Sequence, residues 1–116
     1  MKPVTREQWI AALRSGEYKQ CTGKLYRPGE EGGYCCLGVL GVLAGARRVD
    51  NEGCLSGLEF DVDDTSEIYG AYLPQTIADS VGIYSQQTLS DMNDKGMSFE
   101  EIADYIDSLP RAEEQR

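Results

Sequence analysis

The chain of 116 residues contains no histidine. That absence removes Cys-His and Ser-His nucleophile pairs, histidine-bearing zinc sites and imidazole acid-base chemistry. Long apolar runs are missing as well. The most apolar stretch, Cys35 to Ala46, is twelve residues long and interrupted by glycine, short of the roughly 18–20 residues of a membrane span. Met1-Lys2-Pro3 does not open into the apolar core of a secretory signal. No C-x-x-C occurs among Cys21, Cys35, Cys36 and Cys54. Adjacent Cys35 and Cys36 are poorly placed to bridge each other, and a Cys21–Cys54 disulfide is allowed but not implied. These features read as a single globular domain over residues 1–110 with reduced thiols, in a cytoplasm, followed by a disordered tail at 111–116.

What is present is charge, unevenly spread. The net charge is −9, yet residues 1–49 sum to +4 and residues 50–116 to −13. An acidic surface aids solubility by itself. It also suits a basic protein partner, and it repels nucleic acid. The basic first part suits a small anion.

Local patterns predict an α+β fold, four or so short helices packed around a small antiparallel hairpin or sheet. Thr5 to Gln8 forms a capping box that opens a helix over Arg6–Arg14, stopping near Gly16. Lys24 to Arg27 reads as a short strand, and the Pro/Gly-rich run to Gly33 as a turn into a return strand. Cys35 to Ala46 reads as a buried helix with a face of small residues, or alternatively as a buried strand. That face suits an internal neighbour or a second copy equally well. Arg47 and Arg48 would then sit at the helix C-terminus, where positive charge is favoured. Val49 to Tyr72, acidic and rich in Gly, reads as a mobile loop with one or two short strands around Leu55–Phe60. Pro74, Ser85 and the Ser98–Glu101 capping box open three further short helices. The expected core is Trp9, Leu13, Leu37, Leu40, Leu43, Ile77, Val81, Leu89, Phe99, Ile102 and Ile106.

Two segments are distinctive: Trp9 to Gln20 (W-I-A-A-L-R-S-G-E-Y-K-Q) with Gly33 to Leu40 (G-Y-C-C-L-G-V-L), and Met92 to Ile106, which contains N-D-K-G-M-S-F-E-E-I-A. Together with Tyr72-Leu73-Pro74 they resemble a family of small proteins from tailed-phage and prophage genomes. The resemblance implies a phage origin and action in bacterial cytoplasm, and no chemistry. Members often carry a third cysteine soon after L-G-V-L. Here that place is Gly41, which weakens a metal-site reading.

Four candidate sites follow from the residues. Cys35 and Cys36 are either small core residues or, at a helix N-terminus, activated thiols; their spacing is not that of a zinc knuckle. The cations Arg14, Lys19, Lys24, Arg27, Arg47 and Arg48, with glycine amides and Tyr18, Tyr26 and Tyr34, either form an ordinary surface or cradle a nucleotide. Asp61-Val62-Asp63-Asp64-Thr65 matches a D-x-D-x-T phosphatase signature, but only fifty-one residues follow it, too few for the α/β sheet such enzymes need. Asp91 to Gly96 begins like a calcium loop yet has Lys95 and Ile102 at ligand positions, which rejects it. The helix from Ser98 carries too many carboxylates to read DNA. The acidic residues Asp61, Asp63, Asp64, Glu67, Glu100, Glu101, Asp104 and Asp107 are the expected contact set for a basic bacterial protein. The leading expectation is a non-catalytic phage accessory protein that binds and inhibits such a target. The alternative is a binder that sequesters a nucleotide signal. Neither reading requires a cofactor or a metal.

Overall fold

A computed structural model describes residues 4–29, 32–51, 55–62, 65–70, 72–83 and 85–109. Helix α1 (Arg6–Arg14) begins where the capping box places it: Thr5 Oγ1 accepts the Gln8 N–H, and the Gln8 side chain accepts the Thr5 N–H. Strands β1 (Tyr26–Arg27) and β2 (Gly33–Tyr34) form the short antiparallel hairpin, in register Tyr26↔Tyr34. The first strand is shorter than expected because Leu25 turns its amide to the Gly70 carbonyl, 2.7 Å away, instead of to the hairpin.

Helix α2 (Cys36–Leu43) buries Cys36 to Gly41 without a break. The helical reading of this segment holds and the strand alternative does not. Two of its glycines serve close packing. A Cβ on Gly38 would lie 1.9 Å from the Leu25 carbonyl oxygen, and one on Gly41 within 2.9 Å of Leu58 and Phe60. The helix ends in a Schellman arrangement, with Ala46 N–H on the Gly41 carbonyl and Gly45 N–H on the Val42 carbonyl, Gly45 at φ 96°. That closure turns the chain sharply, so Arg47 and Arg48 are not helix-terminal cations. They begin a strand.

The segment from Arg47 to Tyr69 bears out a strand around Leu55–Phe60 and corrects the irregular loop expected on either side of it. It forms a three-stranded antiparallel sheet of β3 (Arg47–Asn51), β4 (Leu55–Val62) and β5 (Thr65–Tyr69), in the order β3-β4-β5. The strand period is carried by β4: Leu58 and Phe60 are buried, while Glu59 is half-buried and Asp61 exposed. Phe60 packs edge-on against Tyr69 on the same face, with ring centres 5.4 Å apart.

Three helices complete the chain: α3 (Gln75–Ser80), α4 (Gln86–Asp94) and α5 (Phe99–Ser108). Ser98 and Glu101 close the second capping box. The fold is therefore α+β, with five helices and two small antiparallel sheets among the described residues. Helix α5 packs on α1 and α4, and the three-stranded sheet packs on β1 and α2. Of the expected core residues, Leu43 alone is only half-buried. Val4, Leu25, Val39, Leu58, Phe60, Leu73 and Ile83 join the core beyond the expected set. No helix among the described residues is long and apolar enough to cross a membrane. The tail at 111–116 lies outside the described residues.

Candidate functional site

The thiols resolve first. Cys35 is the N-cap of α2, and its Sγ accepts the Gly38 N–H at 3.4 Å. Cys36 is fully buried, with Sγ 3.6 Å from the Leu89 carbonyl. A helix N-terminus ordinarily lowers a thiol pKa. Here burial wins: loss of solvent pushes Cys35 up to about 11 against the opposing Gly38 and Leu37 amides. Cys36 is raised by the same loss and by neighbouring Cys35. Burial also raises Cys21, although Arg27 pulls the other way. The geometry at these positions is that of packing. Cys54 lies outside the described residues.

The basic set divides. Arg14 extends from α1 to Asp104 of α5 at 2.6 Å. Arg47 lies on the three-stranded sheet, bonded to Glu59 and Asp61, each at 2.9 Å. Both are thus held by carboxylates rather than left as bare cations. At the hairpin, Tyr26 and Arg27 lie on β1 and Tyr34 on β2, beside the backbone of Lys19 and with Lys24 preceding β1. The backbone of 19–21 runs parallel to Tyr34: Tyr34 N–H donates to the Lys19 carbonyl at 2.8 Å, and Cys21 N–H to the Tyr34 carbonyl at 2.9 Å. This sets the Tyr34 ring between Tyr18, edge-on at 5.7 Å, and Tyr26 at 5.4 Å. An Arg48 guanidinium N–H reaches the Tyr34 hydroxyl at 3.4 Å, and that bond raises the Arg48 pKa. Of the glycine amides near the hairpin, that of Gly23 donates to the Asp94 carboxylate at 2.9 Å. Arg27 curls onto the Thr22 carbonyl at 2.7 Å.

The acidic set divides too. Asp61 and Glu67 lie on the sheet, and Asp63 and Asp64 fall outside the described residues. Hydrogen bonds from Arg47 and Ser66 hold the Asp61 carboxyl down at about 2. Glu67 accepts the Tyr69 hydroxyl at 3.1 Å. The D-x-D-x-T stretch spans the β4–β5 connection of an antiparallel sheet, and its first aspartate is held by Arg47. On α5, Glu100, Glu101, Asp104 and Asp107 are all exposed, while Phe99, Ile102, Ala103 and Ile106 fill the opposite face. Among the described residues, no group of three or more Cys, Asp or Glu is arranged to hold a metal ion.

Two buried polar residues escape the sequence reading. Asn93 is completely buried, and its Oδ1 accepts the Cys36 N–H at 3.3 Å and the Gln20 amide at 2.9 Å. Its Nδ2 donates to the Cys21 carbonyl at 2.7 Å. Arg6, 5% exposed, donates to the carbonyls of Val81, Gly82, Ile106 and Leu109. It ties the ends of α3 and α5 together. In the sequence both residues look like ordinary surface polar positions, Asn93 in a turn and Arg6 in a first helical turn. The sequence signal for them is position: each falls on the arc that also carries apolar residues, Arg6 with Trp9, Ile10 and Leu13, and Asn93 with Leu89.

No curated protein and no solved structure matches this chain. One family model does, over residues 1–68, a stretch that takes in α1, the hairpin, α2 and most of the three-stranded sheet and ends before α3. The match spans more than half of the 116 residues, and the chain belongs to the family described as a domain of unknown function, DUF8296.

Proposed function

We propose that this chain is a non-catalytic accessory protein of phage origin that binds and inhibits a basic bacterial protein in the host cytoplasm, through the acidic surface of α5. The observation that carries the reading is the arrangement of α5: four carboxylates occupy its exposed arc, Asp104 among them held by Arg14, while its other face is sealed into the core. Charges on a fixed, rigid helix steer a partner of opposite sign and set its orientation. The sheet carboxylates contribute less, since Arg47 already neutralises much of that surface. Buried thiols with raised pKa values support a binding role over a nucleophilic one.

The test neutralises the arc without touching the capping box. The triple variant Glu100→Gln, Asp104→Asn, Asp107→Asn keeps Glu101 and side-chain shape. A host protein retained by the parent chain at low salt is expected to be lost from the variant, and to leave the parent as ionic strength rises and screening sets in. Equal retention by both, indifferent to salt, rejects the reading.

A second reading rests on the tyrosine row. Tyr18, Tyr34 and Tyr26 with Arg48, Lys19 and Arg27 offer stacking faces beside cations, as a nucleotide signal requires. On this reading Lys24→Ala with Arg27→Ala removes nucleotide binding and leaves the fold intact. The Asp94 carboxylate on the Gly23 amide places a negative charge where a phosphate would sit, which favours the first reading.

A further inference from the structure

Beside the acidic arc of α5 lies a hollow of about 130 Å³. Its walls are Ile83, Leu89, Leu109 and the ring of Tyr105; Ser85 and Thr88, both exposed, stand at its mouth, and Gly82 closes one edge. The volume approaches that of the roughly 150 Å³ apolar cavity known to admit benzene. It suits one Leu, Ile or Phe side chain.

The charges around the hollow define what would enter it. Behind it, the Arg6 guanidinium donates to the Gly82 carbonyl at 3.4 Å and to the Leu109 carbonyl at 2.8 Å, so a cation already backs the wall. A second cation inside is disfavoured, and a neutral apolar group is favoured. The charges one turn along the chain from its lining residues have the opposite sign. Glu101 lies one helical turn before Tyr105, Asp91 one turn after Thr88, and Asp79 one turn before Gly82; all three are exposed. Their hydrogen bonds come from neutral donors, the Ser98 amide to Glu101 at 3.1 Å and the side chains of Gln87 and Gln75 to Asp91 and Asp79, each at 2.8 Å. These bonds leave the negative charges in place. Lys95 is the cation nearest in sequence on α4, one further turn along from Asp91.

We propose that this hollow seats a bulky apolar side chain from a basic segment of a partner protein, while that segment's Lys and Arg residues meet Asp79, Asp91 and Glu101. The proposal rests on the acidic-surface reading and adds an anchor to it.

Two synthetic peptides, Lys-Lys-Leu-Lys-Lys and Lys-Lys-Ala-Lys-Lys, test it by methyl and amide NMR titration of the intact chain. The leucine peptide is expected to bind about tenfold more tightly, as burial of one leucine implies. Its shifts should centre on the methyls of Ile83, Leu89 and Leu109. Thr88→Trp, which fills the mouth from an exposed position, should erase the difference, and Thr88→Ala should keep it. Equal binding of both peptides overturns the anchor and leaves the acidic surface standing. A leucine preference that survives Thr88→Trp also overturns the anchor. Failure of both peptides to bind overturns the anchor and the acidic surface together.

Discussion

Asn93 shows how one buried amide can hold three segments in register. It bonds the loop at Gln20–Cys21 and the first turn of α2 from its own place in α4. Removing it leaves a buried carbonyl and a buried amide without partners, each costing on the order of 1–3 kcal/mol. Asn93→Ala is therefore expected to lower unfolding free energy by about 2–4 kcal/mol in urea titrations. A loss under about 0.5 kcal/mol would mean that the network is incidental. The thiols give a second residue-scale expectation. Burial raises Cys35 from 9.0 to about 11. A thiol raised in the folded state contributes stability that is fully present below the unfolded pKa and is lost as pH climbs through the folded one. Stability should fall between about pH 9 and 11, by at most about 1.4 kcal/mol per pH unit for this thiol. Alkylation at pH 8 should reach Cys35 and Cys36 only on the unfolding timescale. Rapid native-state labelling of either would contradict the packing role.

At the scale of elements, the sequence was most legible where side chains cap or stripe a helix. The Thr5 and Ser98 capping boxes mark the starts of α1 and α5, and the small-residue run marks α2 as buried. The sheet was legible only at its middle strand, read around Leu55–Phe60, and its two outer strands were not, for a physical reason. Its stabilising pairs are cross-strand, Arg47 against Glu59 and Asp61, and such pairs look like loop charge until the register is known. The alternation of Leu58 and Phe60 with Glu59 and Asp61 spans only four residues, amid Asp and Gly that argue for a turn. The candidate site was half legible. Tyr18, Tyr26 and Tyr34 come into ring contact at the hairpin, whereas Arg14 and Arg47 are held by carboxylates elsewhere in the chain. Glycine packing is testable here. Gly38→Ala drives a methyl into the Leu25 carbonyl and should cost about 3 kcal/mol or more. Gly70→Ala, where a methyl meets open space, should change stability by no more than about 0.5 kcal/mol. Comparable melting temperatures for the two variants would contradict the close approach of α2 to the loop before β1.

Across the whole molecule, charge separates into three surfaces. The hairpin brings Arg27 beside the tyrosines, Arg47 on the sheet pairs with Glu59 and Asp61, and α5 with the nearby helix ends of α3 and α4 carries exposed carboxylates, of which Asp104 is bonded to Arg14. Family membership covers the first two surfaces and ends before the third. The proposed partner surface thus lies on helices outside the matched stretch, so relatives sharing only residues 1–68 are expected to engage different partners or none. Mapping hydrogen exchange on the tagged chain with and without its co-purified bacterial partner tests the central claim most directly. The account predicts slowed exchange across 99–108 and the start of α4, with the hairpin at 18–34 unchanged. Protection confined to the hairpin, or a small anion in place of a protein partner, would contradict it.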